Sequence, residues 1–169
     1  MKGMGSRGLA GRTLPVTLLA LLIVAAPGRA FADLTVFAGR ATTISRTSGG
    51  AALGLSLEPL SLEFEFAIAP ARRSVGKPAL RTGLFNLMVG TPSRTGRRID
   101  IYGLVGGGMY RERFEEYAVT GFAVNGGGGL YFRVAGPFRL RVDYRLFALR
   151  GNALHRRPAR TYAGLSVAF

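Results

Sequence analysis

Residues Phe138 to Leu149 read FRLRVDYRLFAL, and this stretch decides the fold class of the chain. Every second residue from Phe138 onward is apolar, and between them come Arg139, Arg141, Asp143 and Arg145. Successive side chains of a strand point to opposite faces, so this alternation predicts a strand with one apolar and one charged face. Residues 60–68 (LSLEFEFAI) repeat the pattern, with Glu63 and Glu65 on the polar face.

Outward from these two segments, the chain predicts further strands and no helix. After residue 33 no window has the three-to-four spacing of an amphipathic helix. Prolines mark the strand ends, because proline cannot donate a hydrogen bond to a sheet ladder. The eight predicted strands are residues 33–42, 50–58, 60–69, 79–90, 98–110, 120–134, 138–150 and 160–169. Most of them approach the length of about 9–11 residues that a tilted transmembrane strand needs.

The predicted connections alternate in length. Residues 58–60 and 135–137 form tight turns, and residues 91–97 form a turn of intermediate length. Longer loops are expected near 42–49, 70–78, 111–119 and 151–159, because Gly49-Gly50 and the charged run 111–116 are interpreted as breaks. An even strand count with short turns at one end is typical of outer-membrane barrels. We therefore expect an all-β, eight-stranded antiparallel up-and-down transmembrane β-barrel.

The first 32 residues predict a cleavable signal peptide. Lys2, Arg7 and Arg12 precede an apolar run over residues 14–26, and Ala30-Phe31-Ala32 has the A-x-A form of a cleavage site. Thirteen apolar residues are too few for a membrane-spanning helix, which needs about 20. We expect cleavage after Ala32, a barrel domain over residues 33–169, and location in the bacterial outer membrane.

Composition excludes several classes of function. The 169 residues include no Cys and one His, which excludes a disulfide framework, a zinc ribbon and cysteine catalysis. We expect no cofactor, no bound metal and no enzymatic activity. His155 is interpreted as a solvated loop histidine. The alternative is a lipid-modifying enzyme at the rim, using His155 with Ser45, Ser48 or Ser74, whose activity would be lost in His155→Ala.

The net charge of +14 indicates an acidic partner. Because an exported protein rarely meets nucleic acid, we expect no nucleic-acid partner and favour phosphate-bearing lipids outside the cytoplasm. Arginines in the predicted loops could bind the phosphates of lipopolysaccharide through bidentate hydrogen bonds. The candidates are Arg72, Arg73, Arg156 and Arg157. The alternative is a solvated basic surface. Arg160 is also placed in a loop.

The inward faces of the predicted strands carry a network of charges. The expected members are Glu63, Glu65, Asp100, Arg133, Arg139, Arg141, Asp143 and Arg145. Eight strands enclose a space just wide enough for side chains, and unpaired charges there are costly. We therefore expect a plugged interior held by Glu–Arg pairs. The alternatives are a narrow anion-preferring pore and, less favoured, a soluble periplasmic barrel, which would need an apolar interior for its ligand.

Two glycine runs, residues 106–108 and 126–129, lie within predicted strands. No helix start follows either run, which argues against a phosphate-binding loop. We interpret them as positions where paired strands bend, or where space is left for Tyr102 and Tyr131.

The end of the chain resembles a known sorting signal. Leu165, Val167 and Phe169 alternate after Gly164, and this resembles the C-terminal assembly signal of outer-membrane barrels. The resemblance implies barrel-assembly machinery and periplasmic chaperones as partners in transit.

Residues 101–110 and 122–149 resemble strands of the small barrels of the opacity and outer-membrane protein A transmembrane type. The family's L-R-x-x-Y-R strand corresponds here to residues 140–145. In contrast to longer members, we expect no C-terminal peptidoglycan-binding domain. The resemblance implies a monomer in contact with outer-membrane lipid, including lipopolysaccharide. It also implies a structural or surface-interaction role in membrane integrity, adhesion or host contact.

Overall fold

The protein is a closed barrel of eight antiparallel strands. The computed structural model describes residues 30–41, 46–57, 59–71, 76, 78–91, 98–114, 117–151 and 157–169. In chain order the strands are β1 (Ala30–Ala41), β2 (Arg46–Leu57), β3 (Leu60–Ala69), β4 (Ala79–Gly90), β5 (Ile99–Phe114), β6 (Tyr117–Ala135), β7 (Phe138–Leu149) and β8 (Ala159–Ala168). Each strand pairs with the next, and β8 pairs with β1, from Asp33 opposite Ala168 to Ala41 opposite Arg160. The predicted fold class is confirmed.

The alternation along the strands separates an apolar outer wall from a polar interior. On β7 the odd-numbered residues Arg141, Asp143 and Arg145 are buried, whereas Val142 and Tyr144 between them are exposed. β3 behaves in the same way. The apolar side chains therefore face outward, which is the reverse of a water-soluble sandwich or barrel core.

Two predicted breaks are wrong, because both lie within strands. β2 begins at Arg46, so Gly49 and Gly50 are part of its ladder with β3. A Cβ at Gly50 would overlap the carbonyl oxygen of Phe66, so this glycine permits close strand approach and does not mark a turn. The charged run also continues a strand, since Arg111 is exposed on the wall and Glu112 is buried in the interior.

The two ends of the barrel differ from the prediction in their connections. The loop end carries the connections 42–45, 70–78, 115–116 and 150–158, so only two of the four expected long loops are long. The terminal end carries the start of β1, the end of β8 and the connections 58–59, 91–98 and 136–137. Gly136 has a φ of 53°, which lets β6 turn tightly into β7.

Residues 1–29, which include most of the predicted signal peptide, lie outside the described residues. Ala30 and Ala32 lie in β1, where the amide of Ala32 donates to the carbonyl of Phe169 at 3.0 Å. Within the part of the chain that the structure describes, no helix is long and apolar enough to cross a membrane.

Candidate functional site in the barrel interior

The middle of the barrel is occupied by charged side chains from three strands. We call them the central ion cluster, and its members are Glu63, Glu65, Arg141, Asp143, Arg145 and Arg160. β3 contributes two of its carboxylates, because positions 63 and 65 share the inward face. β7 contributes three members at alternate positions, and β8 contributes one. The period-two pattern is thus the direct reason why these charges meet.

Arg145 is the centre of the cluster. Its Nη2 lies 3.0 Å from Glu63 Oε1 and 2.9 Å from Asp143 Oδ2, and its Nη1 lies 2.6 Å from Glu65 Oε2. Arg141 pairs with the other oxygen of Glu63 and lies 3.0 Å from Asp143. Arg160 Nη1 lies 3.1 Å from Glu65 Oε1. One guanidinium therefore joins β7 to two carboxylates of β3 on the other side of the lumen.

Uncharged polar side chains add hydrogen bonds to the cluster. Asn86 Nδ2 donates to Glu63 Oε1 at 3.0 Å, and Asn125 Nδ2 donates to Asn86 Oδ1 at 3.0 Å. The Tyr162 hydroxyl donates to Glu65 Oε2 at 2.8 Å. Tyr102 donates to Asp143 and accepts from Arg141 Nε. Sequence reasoning did not assign these residues to the network, since Asn and Tyr at inward positions carry no charge pattern.

The placement of Arg160 among the loop arginines is wrong, whereas the predicted strand 160–169, which begins at this residue, agrees with β8. It was expected in a loop, but it lies on β8 with its side chain buried, over the Phe147 ring at 4.6 Å. Alternate residues of a strand share a face, so Arg160 and Tyr162 point to the same side of β8. This alternation was the signal in the sequence that places Arg160 in the interior.

The cluster is balanced in charge and almost fully buried. It contains three carboxylates and three guanidiniums, and Arg141 and Arg145 are 1% and 0% exposed. Removing ions from water costs several kcal/mol per ion, and only close oppositely charged partners offset that cost. Removal of any one member would therefore leave a buried charge of the cluster with fewer oppositely charged partners.

An apolar layer fills the loop end of the lumen. It consists of the buried residues Ala69, Leu80, Leu84, Tyr110, Ala123, Phe147 and Leu149. The cavity that remains beside this layer has a volume of about 10 Å³. This is about the space of a single water molecule. Among the described residues, the apolar layer thus separates the central ion cluster from the loop end.

The terminal end of the lumen is more open and holds the remaining predicted charges. A cavity of about 300 Å³ is lined there by Asp33, Asp100, Arg133 and Arg139, among others. Arg133 pairs with Asp100 at 3.2 Å, with side chains 35% and 11% exposed. Arg139 lies over the Tyr131 ring at 4.9 Å and forms no ion pair with any described residue. Asp100, Arg133 and Arg139 were predicted as network members, but they lie apart from the central ion cluster.

Glycines make room for the inward polar side chains. A Cβ at Gly129 would overlap Asp143 Oδ1 and the Tyr102 hydroxyl. A Cβ at Gly106 would overlap the side-chain oxygen of Asn86. The two glycine runs therefore widen the lumen where large side chains of neighbouring strands cross it.

Several predicted site residues lie outside the described residues, namely Arg72, Arg73 and Arg156, with His155, Ser45 and Ser74 of the alternative enzyme site. Arg157 is described and is exposed. Ser48 is buried within the barrel wall at the loop end. Gly164, Leu165 and Val167 lie in β8 and Phe169 follows it; Leu165 and Phe169 are exposed on the outside.

Comparisons with known proteins agree with this geometry. No family model matches the chain, and no curated protein matches it. Among solved structures, the N-terminal β-barrel domain of Pseudomonas aeruginosa OprF is similar, with a TM-score of 0.64 at 14% identity. That alignment covers 82% of this chain and 97% of the OprF domain.

Two further structures have similar folds. Neisserial surface protein A (NspA) aligns with a TM-score of 0.57 at 14% identity, covering 83% of this chain and 96% of NspA. The outer membrane enzyme PagL aligns with a TM-score of 0.54 at 11% identity, covering 80% of this chain and 98% of PagL. At these identities the likeness concerns the fold, and the chain has the fold of the small eight-stranded outer-membrane barrels.

Proposed function

We propose that the protein is an outer-membrane barrel with a sealed interior and a structural or surface-interaction role. The observation that carries the proposal is the inverted distribution of side chains. Apolar residues cover the outside of the wall, while the inside is filled by the central ion cluster and the apolar layer. Only a protein surrounded by lipid gains from this distribution, because water would leave the wall exposed and the interior charges costly.

The height of the apolar wall supports placement in a membrane. On β5 the outward residues from Ile99 to Met109 carry no charge, and both of these residues are exposed. Ten residue steps of about 3.4 Å, tilted by about 40°, rise about 26 Å. Outer-membrane barrels present an apolar band of about 25 Å. The wall therefore matches the thickness of the hydrocarbon region.

The filled lumen favours a plug over the anion-preferring pore. An ion crossing the barrel would have to displace Arg145 from three carboxylates and then pass the apolar layer. The same charges argue against a soluble barrel with an apolar ligand, because the described residues fill the middle of the lumen with ion pairs.

The test of this proposal combines two measurements on the refolded full chain. On SDS gels the barrel should migrate differently with and without boiling, as small membrane barrels resist SDS until heated. The heat-modifiable protein should then give no single-channel steps in planar bilayers. Defined steps with anion preference would establish the pore instead. A soluble protein without the gel shift would refute the membrane placement.

The surface role we propose is contact with lipopolysaccharide and with other molecules at the cell surface. Arg72, Arg73, Arg156 and Arg157 are the sequence candidates for lipid phosphates, and guanidinium groups bind phosphate in a bidentate manner. Glutamine substitutions at all four positions should reduce the lipopolysaccharide that co-purifies with the barrel. Unchanged co-purification would refute a role for these four arginines.

We assign no catalytic role to His155. Hydrolysis of lipid by the refolded barrel, abolished in His155→Ala, would contradict this and would identify a rim enzyme.

A further inference from the structure

Charge is sorted between the two faces of the barrel wall. The acidic side chains that the structure describes are all buried in the interior: Asp33, Glu63, Glu65, Asp100, Glu112 and Asp143. The exposed charged side chains within the same described ranges are all arginines: Arg40, Arg81, Arg98, Arg111, Arg113, Arg150 and Arg157. The outward faces of β4 and β5 therefore carry no carboxylate among the described residues, and the surface around Arg81 and Arg111 is electrostatically suited to an anion.

Two of the exposed arginines lie directly opposite each other. The register of the β4–β5 ladder pairs Arg81 with Arg111, and both side chains point outward. Facing positions of an antiparallel pair place their Cβ atoms about 4.5–5.5 Å apart. Like charges at such positions destabilise a sheet. The pair is therefore unfavourable unless an anion lies between the two guanidinium groups.

Other outward groups surround the pair. Arg113 lies two residues beyond Arg111 on the same face of β5, and Thr120 of β6 lies opposite Arg111 with its side chain exposed. One step towards the terminal end, Met109 and Phe122 face each other across the same two strands, 61% and 51% exposed. Basic and hydroxyl groups thus lie immediately beyond two exposed apolar side chains. We call Met109 and Phe122 the apolar ledge.

The level of the pair in the wall defines what kind of anion fits. Met109 is the last apolar outward residue of β5 before the loop end, and Arg111 follows two residues later. Two residue steps on a strand tilted by about 40° rise about 5 Å. The guanidinium groups therefore lie just beyond the apolar band, at the depth of lipid head groups.

We propose that Arg81 and Arg111 form a binding site for the phosphate group of an outer-leaflet lipid. The phosphate bridges the two guanidinium groups, and an acyl chain of the same lipid lies along Met109 and Phe122. We call this the β4–β5 arginine site. The inference rests on the proposed placement in the outer membrane, with both chain termini in the periplasm and the loop end therefore at the outer leaflet. It uses residues different from the loop arginines considered above.

The apolar ledge distinguishes a lipid phosphate from free phosphate. Inorganic phosphate gains only the charge-assisted hydrogen bonds of the arginines, which are exposed to water and salt. A phosphorylated lipid gains the same hydrogen bonds together with burial of the apolar surface of Met109 and Phe122. The site should therefore bind a phosphorylated lipid, and its affinity for inorganic phosphate alone should be far lower.

The experiment measures thermal stability of the refolded barrel in an uncharged detergent. Wild type is compared with Arg81→Gln/Arg111→Gln and with Arg98→Gln. Arg98 is exposed immediately before β5 at the terminal end, so its substitution removes the same charge away from the site. Each protein is titrated with diphosphoryl lipid A, with phosphate-free lipid A and with inorganic phosphate. Heat-dependent gel migration first establishes that every variant is folded.

The proposal predicts that the difference in melting temperature between the double variant and wild type changes sign when lipid is added. Without added lipid the double variant should melt at a higher temperature than wild type, because the repulsion between Arg81 and Arg111 is gone. With diphosphoryl lipid A it should melt lower, and its affinity for that lipid should be reduced about tenfold or more. Arg98→Gln should behave as wild type, and phosphate-free lipid A should not discriminate between the proteins.

Three results would overturn the proposal. Equal affinity of wild type and the double variant for diphosphoryl lipid A would eliminate the site. Equal loss in Arg98→Gln would show that only total charge matters. Stabilisation by inorganic phosphate as strong as by lipid A would identify a free-phosphate site. Failure of the outer-membrane proposal is a separate observation, because it would be a protein without heat-dependent migration.

Discussion

Replacement of Glu63 by glutamine tests whether the central ion cluster holds the barrel together. Glutamine keeps the size of the side chain and an oxygen that can accept from Asn86, so the substitution removes charge and little volume. Glu63 binds both Arg141 and Arg145, and its side chain is only 3% exposed. After the change, two carboxylates remain for three guanidinium groups, and one buried positive charge has no counterion.

The expected loss of stability follows from the burial of the ion pairs that Glu63 forms. Breaking a buried ion pair by removing one partner costs about 3–5 kcal/mol. That is a large share of the free energy of unfolding of a typical domain, which is about 5–15 kcal/mol. We therefore expect Glu63→Gln to lower the free energy of unfolding by about 3–5 kcal/mol. The double variant Glu63→Gln/Arg141→Gln restores charge balance and should cost less than the sum of its two single variants.

The assay is reversible urea unfolding in lipid vesicles, followed by circular dichroism because the chain contains no tryptophan. Asp100→Asn is the matched control. Its ion pair with Arg133 is partly exposed, so its loss should cost only about 1 kcal/mol. If Glu63→Gln unfolds within about 1 kcal/mol of wild type, or if the two single variants add without coupling, the cluster is not the element that stabilises the barrel.

Three further predictions concern the glycines of the barrel wall, Tyr162 and the N-terminus of the exported protein. Gly129→Ala should destabilise the barrel by about 1–3 kcal/mol, because its Cβ would overlap Asp143 and the Tyr102 hydroxyl. Gly83→Ala, whose Cβ would meet nothing within 4 Å, should be neutral in the same urea assay. Tyr162→Phe should cost about 1–3 kcal/mol through loss of its 2.8 Å hydrogen bond to Glu65, and a wild-type unfolding curve would contradict this. Mass spectrometry of the exported protein should find Asp33 as its first residue; an intact N-terminus would refute the predicted signal peptide.

The strand pattern could be predicted well because it depends on local chemistry. Alternation along residues 60–68 and 138–149 settles which side chains share a face, since the period of a strand is two wherever the strand lies. The two wrong predictions of strand breaks arise because one residue type can serve either a turn or a strand. Gly49-Gly50 and the run 111–116 were interpreted as breaks, although glycine also serves close strand approach and charges also alternate along a strand. Residue type alone does not distinguish these cases.

The identity of partners within the interior could not be predicted from local pattern. Arg145 meets Glu63, which is 82 residues away, because β3 and β7 face each other across the closed lumen. That meeting depends on the stagger between successive strands around the whole barrel, and a shift of one residue would turn every side chain to the other face. The uncharged members Asn86, Tyr102 and Tyr162 joined the network for the same reason.

The sequence by itself determined an all-β chain with eight strands, an apolar outer face and a charged inner face, because side-chain alternation is a property of each strand. Only the tertiary structure decided which charges neutralise each other, where the lumen is sealed, and that Arg81 and Arg111 lie opposite each other on the outer wall. Those contacts depend on register and closure, which arise when all eight strands pair together, and no single segment contains that information.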